Sequence, residues 1–119
     1  MYRVHHVQMA IPVGGEDEAR GFYADVLGFE EVPKPTALAA RGGAWFRHQE
    51  LEIHVGIDAE FTPATKAHPG FLVDDLDAMA SRLGDAGIQI RPDSALPGFR
   101  RFFVEDPFGN RIEFLQPEG

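Results

Sequence analysis

Apolar and polar residues alternate along the opening of the chain. From Val4 to Ile11, the residues Val7, Met9 and Ile11 fall on one face and His6, Gln8 and Ala10 on the other, the period-two pattern of a half-buried strand. The period then changes. Ala19, Phe22, Tyr23, Val26 and Leu27 recur at helical spacing behind the acids Glu16, Asp17 and Glu18, and Gly28 supplies a stop. Apolar runs at Phe29 to Val32, around Leu38 to Ala40, at Ala44 to Arg47 and at Leu51 to Val55 predict short strands, parted by Pro33, Pro35 and Gly42-Gly43. The first half therefore reads as a strand and a helix followed by these four short strand-like runs.

A loop-like stretch from Glu60 to Ala67, containing Thr62-Pro63-Ala64-Thr65, separates this half from a second of the same design. Phe71 and Val73 mark a strand, and Asp74 or Asp75 can cap a helix that carries Leu76, Met79, Ala80 and Leu83 on one face and closes at Gly87. Strands are predicted at Ile88 to Ile90, Arg101 to Glu105 and Arg111 to Leu115. Asp106-Pro107-Phe108-Gly109-Asn110 has the chemistry of a tight turn, because proline fixes one dihedral while glycine and asparagine tolerate positive φ. The expected organisation is one domain over 1–119, with modules 1–58 and 66–117 joined by a linker at 59–65.

The two halves can be laid on each other. His6-Val7-Gln8-Met9-Ala10-Ile11 matches His68-Pro69-Gly70-Phe71-Leu72-Val73, and Leu51-Glu52-Ile53-His54-Val55 matches Asn110-Arg111-Ile112-Glu113-Phe114. Both matching positions of each copy hold a metal-ligand residue type, which makes His6, His54, His68 and Glu113 one candidate site. Each of the four lies opposite the apolar stripe of its strand, so a sheet whose stripes are covered by helices would present them on its free face. Three imidazoles and one carboxylate suit a divalent Zn, Ni, Co, Mn or Fe ion. Taken singly, a histidine on a strand is more often a hydrogen-bonded surface or structural residue; the agreement between copies is what raises these four. His5 has the parity of a core or supporting group, and His48 lies near a turn, where it is expected to be solvated. Trp45, Phe46, Phe99, Phe102, Phe103 and Phe108 could wall a pocket, although aromatic residues on strands are usually core. Arg47, Arg100 and Arg101 could grip a substrate carboxylate or simply pair with surface acids.

Composition narrows the classes of function. A chain of 119 residues, 44% hydrophobic, is large enough to bury a core as a single domain. With no cysteine it has no disulfide, thiolate ligand or thiol nucleophile. No apolar run approaches the ~20 residues that span a bilayer, so a soluble, cytoplasmic protein without a membrane partner is expected. The formal charge of -8 argues against nucleic acid, whose phosphates are bound through Lys and Arg. No phosphate-binding glycine loop, nucleophile elbow or zinc-protease helix motif occurs.

The chain resembles the vicinal oxygen chelate superfamily of glyoxalases, bleomycin resistance proteins, fosfomycin resistance proteins and extradiol dioxygenases. The carriers are His6-Val7-Gln8-Met9-Ala10-Ile11, Phe22-Tyr23-Ala24-Asp25-Val26-Leu27-Gly28-Phe29, His68 through Asp77, and Asp106-Pro107-Phe108-Gly109-Asn110-Arg111-Ile112-Glu113. The resemblance implies an α+β fold of two βαβββ modules whose curved mixed sheets form a cleft, commonly in a homodimer. It puts the metal ligands at His6, His54, His68 and Glu113, with Glu113 also moving a proton. The implied function is a glyoxalase-like, metal-dependent lyase or isomerase that chelates neighbouring oxygens of a small substrate. One alternative is a metal-free, bleomycin-type binder of an antibiotic or metabolite; a further one is an extradiol dioxygenase-like oxidoreductase. One departure stands out: glyoxalase I-like lyases generally carry an acid where this chain has His54.

Overall fold

The computed structural model describes residues Met1–Gly119, which divide into two compact units, Met1–Pro63 and Ala64–Gly119. In the first unit, β1 (His6–Ile11) leads into a helix, α1 (Glu16–Ala19), that continues as a π-helical segment (Arg20–Val26). Then follow β2 (Glu30–Val32), a short helix α2 (Thr36–Ala39), β3 (Ala44–His48) and β4 (Leu51–Ile57). The second unit contains β5 (Gly70–Leu72), α3 (Leu76–Asp85), β6 (Arg91–Asp93), β7 (Phe99–Glu105) and β8 (Arg111–Pro117). The sheets have the same order, β1-β4-β3-β2 and β5-β8-β7-β6, with the first strand of each unit parallel to the last and the remaining pairs antiparallel. Two four-stranded mixed sheets with matching topology are the α+β, twice-repeated βαβββ architecture expected from the sequence.

Burial follows the predicted stripes. In the first unit Met9, Ile11, Phe46, Ile53 and Val55 of the sheet pack with Ala19, Phe22, Tyr23 and Leu27 of the helix in the core; in the second, Phe102, Val104, Ile112 and Phe114 do so with Leu76 and Leu83. Full burial of a side chain of this size contributes roughly 1.5–3 kcal/mol by removing apolar surface from water. The helical pattern of the first unit hides one irregularity: the Leu27 N–H reaches back five residues to the Phe22 carbonyl (2.9 Å). The widened turn brings the consecutive rings of Phe22 and Tyr23 into the core together, edge to face at 4.9 Å.

Three expected elements differ. The stretch around Leu38 to Ala40 is helical, not a strand, because Pro35 sets φ at -53° and is followed by Thr36-Ala37-Leu38-Ala39, mostly strong helix formers. Ile88 to Ile90 do not pair as a strand. Gly87, at φ 77°, turns the chain so that the Ile88 N–H closes on the Leu83 carbonyl of α3 (3.0 Å), and pairing starts only at Arg91. Pro92 is accommodated there because β6 is an edge strand. Finally, β1 begins at His6 rather than Val4, since the first rung of its ladder is His6 against Glu52.

The predicted cap and turn both form. Asp75 accepts a hydrogen bond from the Ala78 N–H (3.0 Å), so Asp75→Ala is expected to lower unfolding free energy by about 1 kcal/mol, readable by urea titration; an unchanged midpoint would show the cap to be dispensable. In the turn, Asp106 Oδ1 accepts the N–H groups of Phe108 and Asn110 at 2.9 Å each. The buried Asn110 donates to Asp106 Oδ2 and accepts from the Ala64 N–H, fastening the start of the unit to its last hairpin.

Candidate functional site

In each unit the candidate residues lie on or beside the parallel strand pair, on the face away from the helix. His6 and His54 belong to β1 and β4, whose register sets His6 opposite Glu52 and Gln8 opposite His54. His68 precedes β5, and Glu113 sits opposite Gly70 on β8. The fold thus forms two pairs, His6 with His54 and His68 with Glu113. No group of three or more His, Asp or Glu side chains gathers into a metal-holding arrangement.

The first pair is a stack. The His6 and His54 rings lie 4.1 Å apart and 12° from parallel, and Trp45 covers the His54 ring at 3.9 Å and 4°. A ligated imidazole holds its metal close to its own ring plane, and two nearly parallel planes share no nearby point. For both rings to bind one ion, one must turn out of the stack. His54 is buried, and its Nε2–H donates to Glu52 Oε1 at 2.8 Å. Burial pushes the His54 imidazole below its usual pKa; the bond to Glu52 opposes this and the neighbouring His6 adds to it. The hydrogen bond from His54 holds the Glu52 carboxyl below the usual carboxylate range, against its partial desolvation and with help from Arg47, whose Nη2 lies 3.3 Å away. His5 is not a core residue: it is exposed and shares a 2.9 Å Nδ1 to Nδ1 hydrogen bond with His6. His48 is exposed, as its turn position implies.

The second pair converges. His68 Nδ1 lies 2.8 Å from the Lys66 carbonyl, which can only accept, so Nδ1 carries the proton. In a neutral ring this leaves the Nε2 lone pair 3.0 Å from Glu113 Oε1, one acceptor facing another. Such a contact is stable only with a positive centre between them, either an added proton or a cation. The donor set fits a divalent ion: a neutral imidazole tied through its other nitrogen to a backbone carbonyl, beside a carboxylate oxygen. Glu113 is buried, and its Oε2 accepts from Arg101 Nη1 at 3.2 Å. Burial works against the Arg101 charge, but its hydrogen bonds to Asp93 and Glu113 outweigh this and raise its pKa. The Ala95 N–H, and then Arg101, hold the Asp93 carboxyl low. Phe103 stands edge-on to His68 at 5.3 Å and beneath the Arg101 guanidinium at 5.0 Å.

Sequence reasoning misses Glu52 and the stacking role of Trp45, and it offers Arg101 only as a grip for a substrate carboxylate, whereas Arg101 pairs with Glu113 and Asp93. Their signal was strand parity: Glu52 lies two residues before His54 on the same face, Trp45 is the cross-strand partner of His54, and Phe103 holds the matching position against Glu113. Arg47 pairs with the half-buried Glu52 of the site, and Arg100 with Asp77 at the surface at 2.6 Å.

A family model for the Glyoxalase/Bleomycin resistance protein/Dioxygenase superfamily matches residues 3–114. Among solved structures, a glyoxalase family protein from Bacillus anthracis is 47% identical, with a TM-score of 0.95 over 99% of this chain and 97% of that one. An antibiotic binding protein from a Streptomyces species is 23% identical (TM-score 0.76, 99% of both chains). A genomically encoded fosfomycin resistance protein from Listeria monocytogenes is 14% identical (TM-score 0.77, 99% and 95%). These last two share the fold. No curated protein sequence matches the chain. By the family match and the close likeness to the Bacillus protein, this chain belongs to the Glyoxalase/Bleomycin resistance protein/Dioxygenase superfamily.

Proposed function

We propose that the protein is a metal-dependent enzyme of glyoxalase-like type, a lyase or isomerase acting on a small substrate with neighbouring oxygens. The observation that carries this reading is the contact between the His68 Nε2 lone pair and Glu113 Oε1, which calls for a positive centre. His68 and Glu113 would hold a divalent ion, with His6 and His54, drawn from one chain or from two, completing the ligand set. Such an ion polarises carbonyl oxygens and favours loss of a proton from the adjacent carbon. Of the chain's own groups, Glu113 is the one suited to take that proton, because Arg101 holds its second oxygen and so orients the first, beside His68, as the acceptor. Each sheet ends on strands with an open edge, β1 and β2 or β5 and β6, and we infer a homodimer that covers part of them.

Mass spectrometry of untagged protein, purified without chelators or metal columns, tests the reading directly. Near-stoichiometric Zn, Ni, Co, Mn or Fe is expected, reduced at least about tenfold in His68→Ala. Protein that carries no metal and takes none up on addition would sink the enzyme assignment. It would favour the second reading, a metal-free binding protein, to which the closed stack of His6, His54 and Trp45 already lends support.

A further inference from the structure

The sheet face of the first unit carries a cleft of about 480 Å³ whose lining includes Arg41, Lys34, Trp45, His54, Leu38 and Ile57. Its charge runs against that of the chain. The sequence has 19 acidic and 11 basic residues, yet the cleft has no Asp or Glu in its wall, while lysine, arginine and histidines all contribute. The arginines of the ion pairs, Arg20, Arg47, Arg91, Arg100 and Arg101, each meet a carboxylate. Arg41 does not: it is exposed at the cleft, with its guanidinium fork unpaired.

The segment that presents Arg41 is tied down on both sides. Its N–H closes on the Leu38 carbonyl at 3.1 Å, and the Gly42 N–H reaches Ala39 at 3.3 Å. The Gly43 N–H is held by Glu16 Oε2 at 3.1 Å, and Lys34 Nζ donates to the Gly42 carbonyl. That bond uses one of the three ammonium hydrogens and leaves the others for a ligand. The braced backbone keeps the root of the Arg41 side chain at the cleft, and a guanidinium matches a carboxylate through two parallel hydrogen bonds. Leu38, Ile57 and Trp45 provide apolar surface beside it.

We propose that this cleft binds the carboxylate of a small organic acid, with Arg41 as the anchor, Lys34 as the second cation and Trp45 against the apolar body of the ligand. The inference rests on the proposal that the protein acts on a small substrate held near His6 and His54, which line this cleft, and adds the chemical class of that substrate; its test does not require the metal.

Trp45 is the chain's single tryptophan, so its fluorescence reports on this cleft alone. Metal-stripped protein is titrated with benzoate and with benzamide, which has the same shape without the charge. Benzoate is expected to give a saturable change in Trp45 emission, with benzamide at least about tenfold weaker, the ratio for losing a charge-assisted hydrogen bond. Arg41→Gln, whose far-UV circular dichroism should match that of the parent because Arg41 is exposed, is expected to lose about the same factor toward benzoate. Equal binding of the two probes, no saturation by benzoate up to about 10 mM, or undiminished affinity in Arg41→Gln would each overturn the proposal. Because no metal is present, these outcomes stand apart from the metal measurement: a carboxylate site can survive the loss of the metal reading, and the converse also holds.

Discussion

Replacing Glu113 with alanine should lower the unfolding free energy by about 3 kcal/mol, while Glu113→Gln should stay within about 1 kcal/mol of the parent. Alanine strips a buried carboxylate from between Arg101 and His68. The half-buried Arg101 keeps Asp93 at 3.1 Å, which holds the cost near the lower end of the range for broken buried pairs. Glutamine fits both neighbours: its carbonyl oxygen can accept from Arg101, and its amide N–H can donate to the Nε2 lone pair of a neutral His68. An amide is nonetheless a far weaker ligand for a divalent ion than a carboxylate. Bound metal and turnover are therefore expected to fall at least about 10- to 100-fold in Glu113→Gln, although the fold is preserved. Denaturant titration and metal analysis of the two variants separate the roles. A stable, fully metal-loaded glutamine variant would remove Glu113 from the ligand set.

The second large effect is expected at Gly43. A Cβ there would lie 2.2 Å from the Val55 carbonyl oxygen, and the residue sits at φ +81°, where side chains are disfavoured. Gly14 has the same φ but nothing within 4 Å of its added Cβ, which makes it the matched control. Gly14→Ala should cost only the backbone preference, about 1 kcal/mol; Gly43→Ala adds a displacement of the backbone beside His54 and should cost about 3 kcal/mol or more. Urea midpoints measured in parallel decide it, and equal losses in the two variants would refute the close-approach argument. Because Gly43 ends the braced loop, its replacement should also disturb the position of Arg41.

Much of this architecture was legible in the sequence because one face of each strand is apolar. Val7, Met9 and Ile11, or Ile112 and Phe114, announce both the element and the side that it buries. Asp75 and Gly87 were legible for a different reason, since they satisfy helix-end groups through local chemistry that tertiary contacts seldom override. The helix at Thr36–Ala39 was not, because four residues are too few to show a period. The π-helical turn was likewise invisible: its apolar spacing differs from that of an α-helix by less than the sequence pattern resolves. The duplication identified which residues face which surface, and the two pairs form as that parity requires. It could not foresee that His6 would stack on His54 instead of converging with it, because stacking depends on side-chain torsions and on the cross-strand neighbour Trp45.

The parallel pairing of first strand with last has a consequence for the order in which each unit can assemble. The meander β2-β3-β4 joins strands that are neighbours in the chain, whereas Val7 meets Ile53 only after the whole intervening chain has been looped back, at the greatest entropic cost in the unit. The same holds for β5 against β8. The candidate chemistry of each half is carried by these least local contacts. His6 has no His54 to stack on, and His68 no Glu113 to face, in any partly folded species that contains only the hairpins. Whatever either pair can bind is thereby reserved for a fully closed unit, and an incompletely folded chain has neither arrangement to offer.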